Sequence, residues 1–183
     1  MIILQPINLR WITGVADDPA DLCAHGDVEF RIQGESLFDD SESDPGRNLT
    51  VSAAALFLLR TLSKPRRCPI PGGELLFPCC GHVFYDVPGE PEVCLLGCPN
   101  GVDFDVLHEA DGPGVLICAN ELRQWSVNWT DWRQAVFHFT DRVWEFYSTS
   151  SPKRPEPDMA TGFSKFVAEW ERRRGQPSGI EIV

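Results

Sequence analysis

The segment 50–63 constrains the fold most, because it reads as a short helix with apolar side chains on every face. Its centre, residues 53–59, is the run AAALFLL, in which most residues are good helix formers. Thr50 or Ser52 can cap the start, and Pro65 disfavours helix at the residue before it. A helix that is apolar all round is stable only when other elements cover it. We therefore predict a buried helix over about 50–63 at the centre of the fold.

The middle of the chain predicts antiparallel β-structure. Short apolar runs are separated by turn residues, a spacing that favours a meander over βαβ units. The predicted strands there are 75–77, 82–87, 92–96, 102–108 and 114–119, and two more lie near the N-terminus, at 2–13 and 28–32. We expect these strands to form an antiparallel sheet that packs on the buried helix.

Two amphipathic helices complete the predicted fold. Residues 131–149 and, after a linker that contains Pro and Lys, residues 158–175 place apolar side chains at helical spacing. The fold class is therefore α+β: an antiparallel sheet packed on the buried helix, with two C-terminal amphipathic helices. Residues 1–150 are expected to form a single α+β domain. Residues 151–183 are expected to form a linker and a C-terminal helix docked on the same domain.

The charge balance limits the partners that the protein can take. Lys plus Arg number 16 against 27 Asp plus Glu, a formal net charge of −11. That field repels nucleic acid and anionic membrane surfaces, so we expect neither as a partner and expect a basic protein partner instead. The chain shows no signal-peptide pattern at its start and no apolar run of about 18 residues, which predicts a cytoplasmic protein.

A group of cysteine and histidine residues is the strongest candidate for a chemical site. Seven cysteines in a cytoplasmic chain favour thiols or a bound metal over disulfides. Zinc takes four nitrogen or sulfur ligands in a tetrahedron, and Cys79 and His82 have the spacing of a ligand pair. Cys94 and Cys98 would lie about 13 Å apart on a regular strand, so only Cys98, at the following turn, is retained. The candidate zinc ligands, with Cys80 and His108 as alternatives for the fourth position, are Cys79, Cys80, His82, Cys98 and His108.

Two other interpretations of the cysteines stay open. Cysteine packs as a small apolar group, and Cys68, Cys94 and Cys118 are expected to fill the core in this way. Alternatively, Cys79 or Cys80 acts as a nucleophile that a histidine activates and a carboxylate orients. The candidate partners of such a nucleophile are His82 or His108 and Asp103 or Asp105.

Five segments of the chain carry a resemblance. They are PCCGH at 78–82, GCPNG at 97–101 and three further segments at 9–12, 21–26 and 51–62. These segments resemble those of a group of small uncharacterised bacterial proteins. The resemblance implies a bacterial cytoplasmic protein and carries no activity. Because small acidic bacterial proteins of this kind include immunity proteins that neutralise toxins, it suggests that function by analogy.

The sequence therefore favours a non-enzymatic cytoplasmic binding protein of bacterial origin, with a basic protein partner and a structural zinc site. A toxin-neutralising immunity protein is its concrete form. The alternative is an enzyme that uses a zinc-activated water or a cysteine thiolate within residues 79–108. Binding is preferred because the chain contains no recognisable catalytic motif.

Overall fold

The computed structural model describes residues 1–12, 16–38, 48–68, 74–97, 99–109, 114–177 and 180–183. In chain order its helices and strands are β1 (Ile2–Arg10), β2 (His25–Ile32), β3 (Glu35–Ser36), α1 (Val51–Thr61), β4 (Phe77–Pro78), β5 (Val83–Tyr85), β6 (Cys94–Leu96), β7 (Gly101–Val102), β8 (Asp105–His108), β9 (Gly114–Cys118), β10 (Gln124–Asn128), α2 (Trp129–Ser148) and α3 (Ala160–Arg174). The predicted α+β fold class is confirmed, since antiparallel strands, a central helix and two C-terminal helices are all present.

The predicted buried helix is α1, and it lies at the centre of the core. All 11 of its residues are buried, including the polar residues Ser52, Arg60 and Thr61. It contacts α2, α3, β2 and β4. The chain therefore wraps the apolar run on every side, as a helix without a polar face requires.

The strands in the described ranges form four small antiparallel sheets and not the one sheet that the sequence predicts. β1, β2 and β3 make one sheet, and β8, β9 and β10 make another as a meander. β4 pairs with β7, and the β5–β6 hairpin lies in the chain between those two strands. Proline and glycine turns keep the strands from β4 to β10 at 2 to 5 residues each, so their pairing divides into separate units.

The two predicted C-terminal helices are α2 and α3. The side chain of Asn128 accepts a hydrogen bond from the Thr130 backbone N–H and so caps α2. α3 ends at Gly175, whose φ of 77° is the left-handed conformation that glycine adopts at helix ends. α3 lies against β5 and α1. Within the described ranges, none of the helices combines the length and the apolar character needed to cross a membrane.

Candidate functional site

The loop that carries the adjacent cysteines Cys79 and Cys80 is hydrogen-bonded to the start of α1. The Thr50 backbone N–H donates to the Pro78 carbonyl at 2.7 Å, and the Thr50 hydroxyl donates to the Cys80 carbonyl. The Cys79 N–H donates to the Asn100 carbonyl at 3.1 Å, which ties the same loop to the strand pair β4–β7. These bonds hold the two sulfur atoms 3.2 Å apart, with Cys79 half-buried and Cys80 exposed.

The imidazole of His82 lies beneath this loop and is 9% exposed. The His82 backbone N–H donates to Cys23 Sγ at 3.2 Å, and burial raises the pKa of the Cys23 thiol to about 12. A Cβ at Gly97 would stand 2.7 Å from His82 Nε2, so glycine there leaves the space that the ring occupies. His82 Nδ1 is buried, and no described residue forms a hydrogen bond with it.

A second histidine, His25, lies at this end of α1, although it is not among the ligands predicted from the sequence. Its Nδ1 lies 2.9 Å from the Cys23 carbonyl, and its Nε2 lies 3.3 Å from the Thr50 hydroxyl. The spacing Cys23-x-His25 is the available sequence signal. It became informative only when the fold placed β2 beside the start of α1, through the pairing of Gly26 with Leu49.

The structure does not bring His108 to these residues. His108 Nε2 lies 2.7 Å from the Thr61 carbonyl, at the other end of α1 from Thr50. The 11 residues of α1 span about 16 Å at the usual rise of a helix, so His108 and Cys80 lie on opposite sides of the core. Of the other predicted zinc ligands, Cys98 lies outside the described residues. The part of the chain that is described contains no group of three His, Cys, Asp or Glu side chains arranged to hold a metal ion.

The remaining predicted partners of a nucleophile serve other groups. Asp103 Oδ1 accepts hydrogen bonds from Arg66, and Asp105 Oδ1 accepts one from the Cys68 N–H at 2.6 Å. Burial and the neighbouring Asp103 carboxylate raise the pKa of the Cys68 thiol. Cys68, Cys94 and Cys118 were expected to fill the core. That expectation is not met, because all three are only partly buried.

The outer face of the β5–β6 hairpin is an apolar surface. Alternation along a strand turns Phe84 and Leu95 inward and leaves their neighbours outward. Val83 and Leu96 face each other across the hairpin and are 38% and 46% exposed, and Tyr85 is 46% exposed. We name the exposed apolar residues here the hairpin surface; they are Val83, Tyr85 and Leu96, with Ile12 beside Val83.

A cavity of about 410 Å³ adjoins the hairpin surface. Ile12 and Val83 line it together with His82, so the surface continues to the edge of the cysteine and histidine group. Asp18 and Asp21 also line it, and their carboxylates accept backbone hydrogen bonds at 2.7 to 3.1 Å. The apolar opening therefore has a negatively charged side.

The burial of His82 predicts a loss of stability in mild acid. Burial lowers the pKa of His82 to about 4 from an ordinary 6.5, so the unfolded chain takes up a proton at a higher pH than the folded protein does. The stabilisation is complete above pH 6.5 and is lost as the pH falls from 6.5 towards 4. Between about pH 7 and about pH 5 we expect the free energy of unfolding to fall by about 2 kcal/mol from this group.

Urea unfolding of the metal-free protein at a series of pH values measures this loss. His82→Gln should flatten the dependence on pH in this window. His138→Gln is the matched control, because His138 is exposed on α2 and its replacement should leave the slope unchanged. Equal slopes for His82→Gln and the unchanged protein would contradict the assignment.

No family model, curated protein or solved structure matches this chain. The fold class is therefore established by the structure itself. The resemblance to small bacterial proteins stays a prediction.

Proposed function

We propose that the protein is a binding protein that takes a basic protein partner on the hairpin surface. The observation that carries the proposal is the contiguous exposure of Val83, Tyr85 and Leu96 on one face of the β5–β6 hairpin. Contiguous exposed apolar patches with polar rims are typical of interaction sites. Tyrosine is also one of the residues that most often dominate the binding energy of a protein interface.

The charge around the hairpin surface supports a basic partner. Asp18 and Asp21 line the adjoining cavity, and Glu90 lies in the exposed turn of the hairpin. Within the described ranges, none of these three carboxylates forms an ion pair with a basic side chain. Together with the net charge of −11, they favour encounter with a positively charged protein and disfavour an acidic one.

The state of His82 supports binding over thiolate catalysis. The enzyme alternative relies on a histidine cation to activate the Cys79 or Cys80 thiol. His82 is neutral at pH 7, because burial lowers its pKa to about 4, so it supplies no positive charge to Cys79 or Cys80. The enzyme alternative predicts that Cys80 reacts with iodoacetamide much faster than a free thiol does at neutral pH, whereas binding predicts an ordinary rate.

Tyr85→Ala tests the hairpin surface. A partner is first captured on the immobilised protein and is retained for study only if the triple variant Val83→Ser, Tyr85→Ser, Leu96→Ser fails to capture it. We then expect Tyr85→Ala to weaken the affinity for that partner by about 30-fold, the effect of losing about 2 kcal/mol at an interface. Titration calorimetry at two salt concentrations measures the affinity and its charge dependence.

Leu122→Ala is the matched control, because Leu122 is also apolar and is 95% exposed but lies away from the hairpin in the loop before β10. It should leave the affinity unchanged. An acidic partner, or a partner that binds Tyr85→Ala as tightly as it binds the unchanged protein, would contradict the proposal.

The narrower proposal is that the partner is a toxin and that this protein neutralises it. Its support is the acidic charge and the predicted resemblance to small bacterial proteins. Cells that express the captured partner should grow only when this protein is co-expressed, and Tyr85→Ala should protect them less well. Toxicity that this protein does not relieve would remove the immunity function and leave the binding proposal standing.

Structural zinc at the start of α1 is a separate proposal. It is supported by the paired sulfur atoms of Cys79 and Cys80 and by the buried Nδ1 of His82, which has no hydrogen-bond partner among the described residues. Elemental analysis of the purified protein should find zinc, and Cys80→Ser should lose it. His108→Gln is the control that should retain zinc, since His108 lies at the other end of α1. Protein without zinc would contradict the proposal.

A further inference from the structure

A second cavity, of about 310 Å³, lies beside the C-terminal half of α1. We name it the Phe57 cavity after the ring in its wall. Its lining combines apolar and charged side chains from α1, from the segment after α1 and from the β5–β6 hairpin. Phe57, Val87 and Val93 are among its apolar members, and Arg60, Lys64 and Arg66 are its basic members among the described residues.

Two buried arginines flank the Phe57 ring. The guanidinium carbons of Arg60 and Arg66 lie 5.5 and 6.0 Å from the ring centroid, and each residue is only 7% exposed. Arg60 donates from Nε and Nη2 to the Glu169 carboxylate, at 2.9 Å each. Arg66 donates from Nε and Nη2 to Asp103 Oδ1, at 3.0 and 2.8 Å. Both guanidinium groups are therefore fixed in position by carboxylates behind the cavity wall.

The third guanidinium nitrogen of each arginine, Nη1, donates to neither the Glu169 nor the Asp103 carboxylate. Arg60 Nη1 forms an ion pair with Glu74 Oε1 at 3.7 Å, a separation too long for a hydrogen bond. Among the described residues, none accepts a hydrogen bond from Nη1 of Arg66. An arginine side chain can donate two parallel hydrogen bonds to a planar carboxylate or a similar anionic group. Two rigid arginines that line one cavity with such donors favour an anionic group in a ligand.

The rest of the lining favours a positive group in the same ligand. Among the described residues of the lining, three are acidic (Glu74, Glu90 and Glu92) and three are basic. Glu92 is bound by Lys64 at 3.0 Å, whereas Glu90 forms no ion pair with a described residue and is exposed. A lining with equal numbers of charges of each sign disfavours a ligand of net charge and favours one that carries both signs.

We propose that the Phe57 cavity binds a small zwitterion of the α-amino acid class with an aliphatic side chain. The carboxylate of the ligand accepts from the Nη1 groups of Arg60 and Arg66, and its ammonium group faces Glu90. Its aliphatic part lies against the apolar wall formed by Val87 and Val93. The cavity volume suits a ligand of this size, since it is at the lower end of the range of about 300 to 1,000 Å³ typical of small-molecule sites.

Calorimetric titration of the full chain near neutral pH tests the proposal with three probes of one shape. They are L-leucine, the carboxylic acid that lacks its amino group and the amine that lacks its carboxylate. We expect leucine to bind at least about tenfold more tightly than either analogue, because only the zwitterion matches both charged parts of the lining. Equal binding of the carboxylic acid, or no binding of leucine up to about 10 mM by the folded protein, would overturn the proposal.

Two variants locate the site without touching the buried ion pairs. Glu90→Gln removes the partner of the ammonium group at an exposed position and should weaken leucine binding about tenfold or more. Val87→Trp fills the cavity and should abolish binding. Glu121→Gln is the matched control, because Glu121 is also exposed but lies outside this lining, and it should bind leucine normally. Unchanged binding by Glu90→Gln would show that the ligand does not occupy the proposed position.

Discussion

Glu169→Leu should lower the free energy of unfolding by about 3–5 kcal/mol, which would make it one of the most damaging single changes in the chain. Glu169 is completely buried in α3 and joins that helix to the end of α1. Its two oxygens accept from Nε and Nη2 of Arg60, at 2.9 Å each. The Val93 N–H and Arg173 Nε also donate to it, at 2.9 and 2.7 Å. Leucine would therefore leave four donor nitrogens, on three groups, without this acceptor, and one of those groups is the buried guanidinium of Arg60.

The pKa of Glu169 shows how strongly this carboxylate depends on its partners. Burial by itself would raise that pKa, yet the hydrogen bonds and charge of Arg60, with help from Arg173 and Val93, hold it below its ordinary value. A buried ion pair of this kind adds little compared with two apolar residues that fill the same space, whereas the removal of one partner is costly. The expected loss measures the cost of an isolated buried charge and not the strength of the pair.

Urea unfolding of four proteins separates these contributions: the unchanged chain, Glu169→Leu, Arg60→Leu and the double variant. The double variant should be more stable than either single variant, because no buried charge is left alone. Glu145→Leu is the control, since Glu145 is an exposed helical position of α2 and its replacement should cost less than about 0.5 kcal/mol. Single and double variants whose losses simply add would contradict the role of the pair.

The ion pair of Arg60 and Glu169 also shows what sequence patterns cannot reveal. The run 53–59 predicted a buried helix because the pattern lies within consecutive residues of the chain. The helical spacing in α2 and α3 is local in the same sense. Arg60 follows that run as an ordinary basic residue in a last helical turn, a place where positive charge is usual. Its partner is 109 residues away in the chain, so only the folded structure shows that both are buried.

Strand pairing and the candidate site show the same limit. The apolar runs placed most strands correctly, but β4 pairs with β7 across the inserted β5–β6 hairpin, and no local pattern encodes that choice.

The sequence identified Cys79, Cys80 and His82 as a group because they are neighbours in the chain. It included His108 because of residue type alone, and the position of His108 beyond the far end of α1 corrects it. The hairpin surface could be inferred only after the inward and outward faces of β5 and β6 were known.

Gly162→Ala should destabilise the protein by about 3 kcal/mol, even though alanine is the better helix former by about 1 kcal/mol. Gly162 lies in the first turn of α3 and packs against the backbone of β5. A Cβ at this position would collide with the Phe84 carbonyl group and would stand 3.0 Å from the Tyr85 nitrogen. Because the obstacle is backbone and not the end of a flexible side chain, α3 and β5 would have to move apart.

That separation would disturb both the core and the hairpin surface. The Phe84 ring lies 5.2 Å from the rings of Phe163 and Phe166 of α3, and these edge contacts would open first. β5 also carries Tyr85, so Gly162→Ala should weaken partner binding although Gly162 itself is buried beneath the hairpin. Thermal unfolding and the partner affinity measure the two effects. Ser164→Ala, at an exposed position two residues further along α3, should change neither quantity. A melting temperature raised by Gly162→Ala would show that helix propensity outweighs the close packing of α3 on β5.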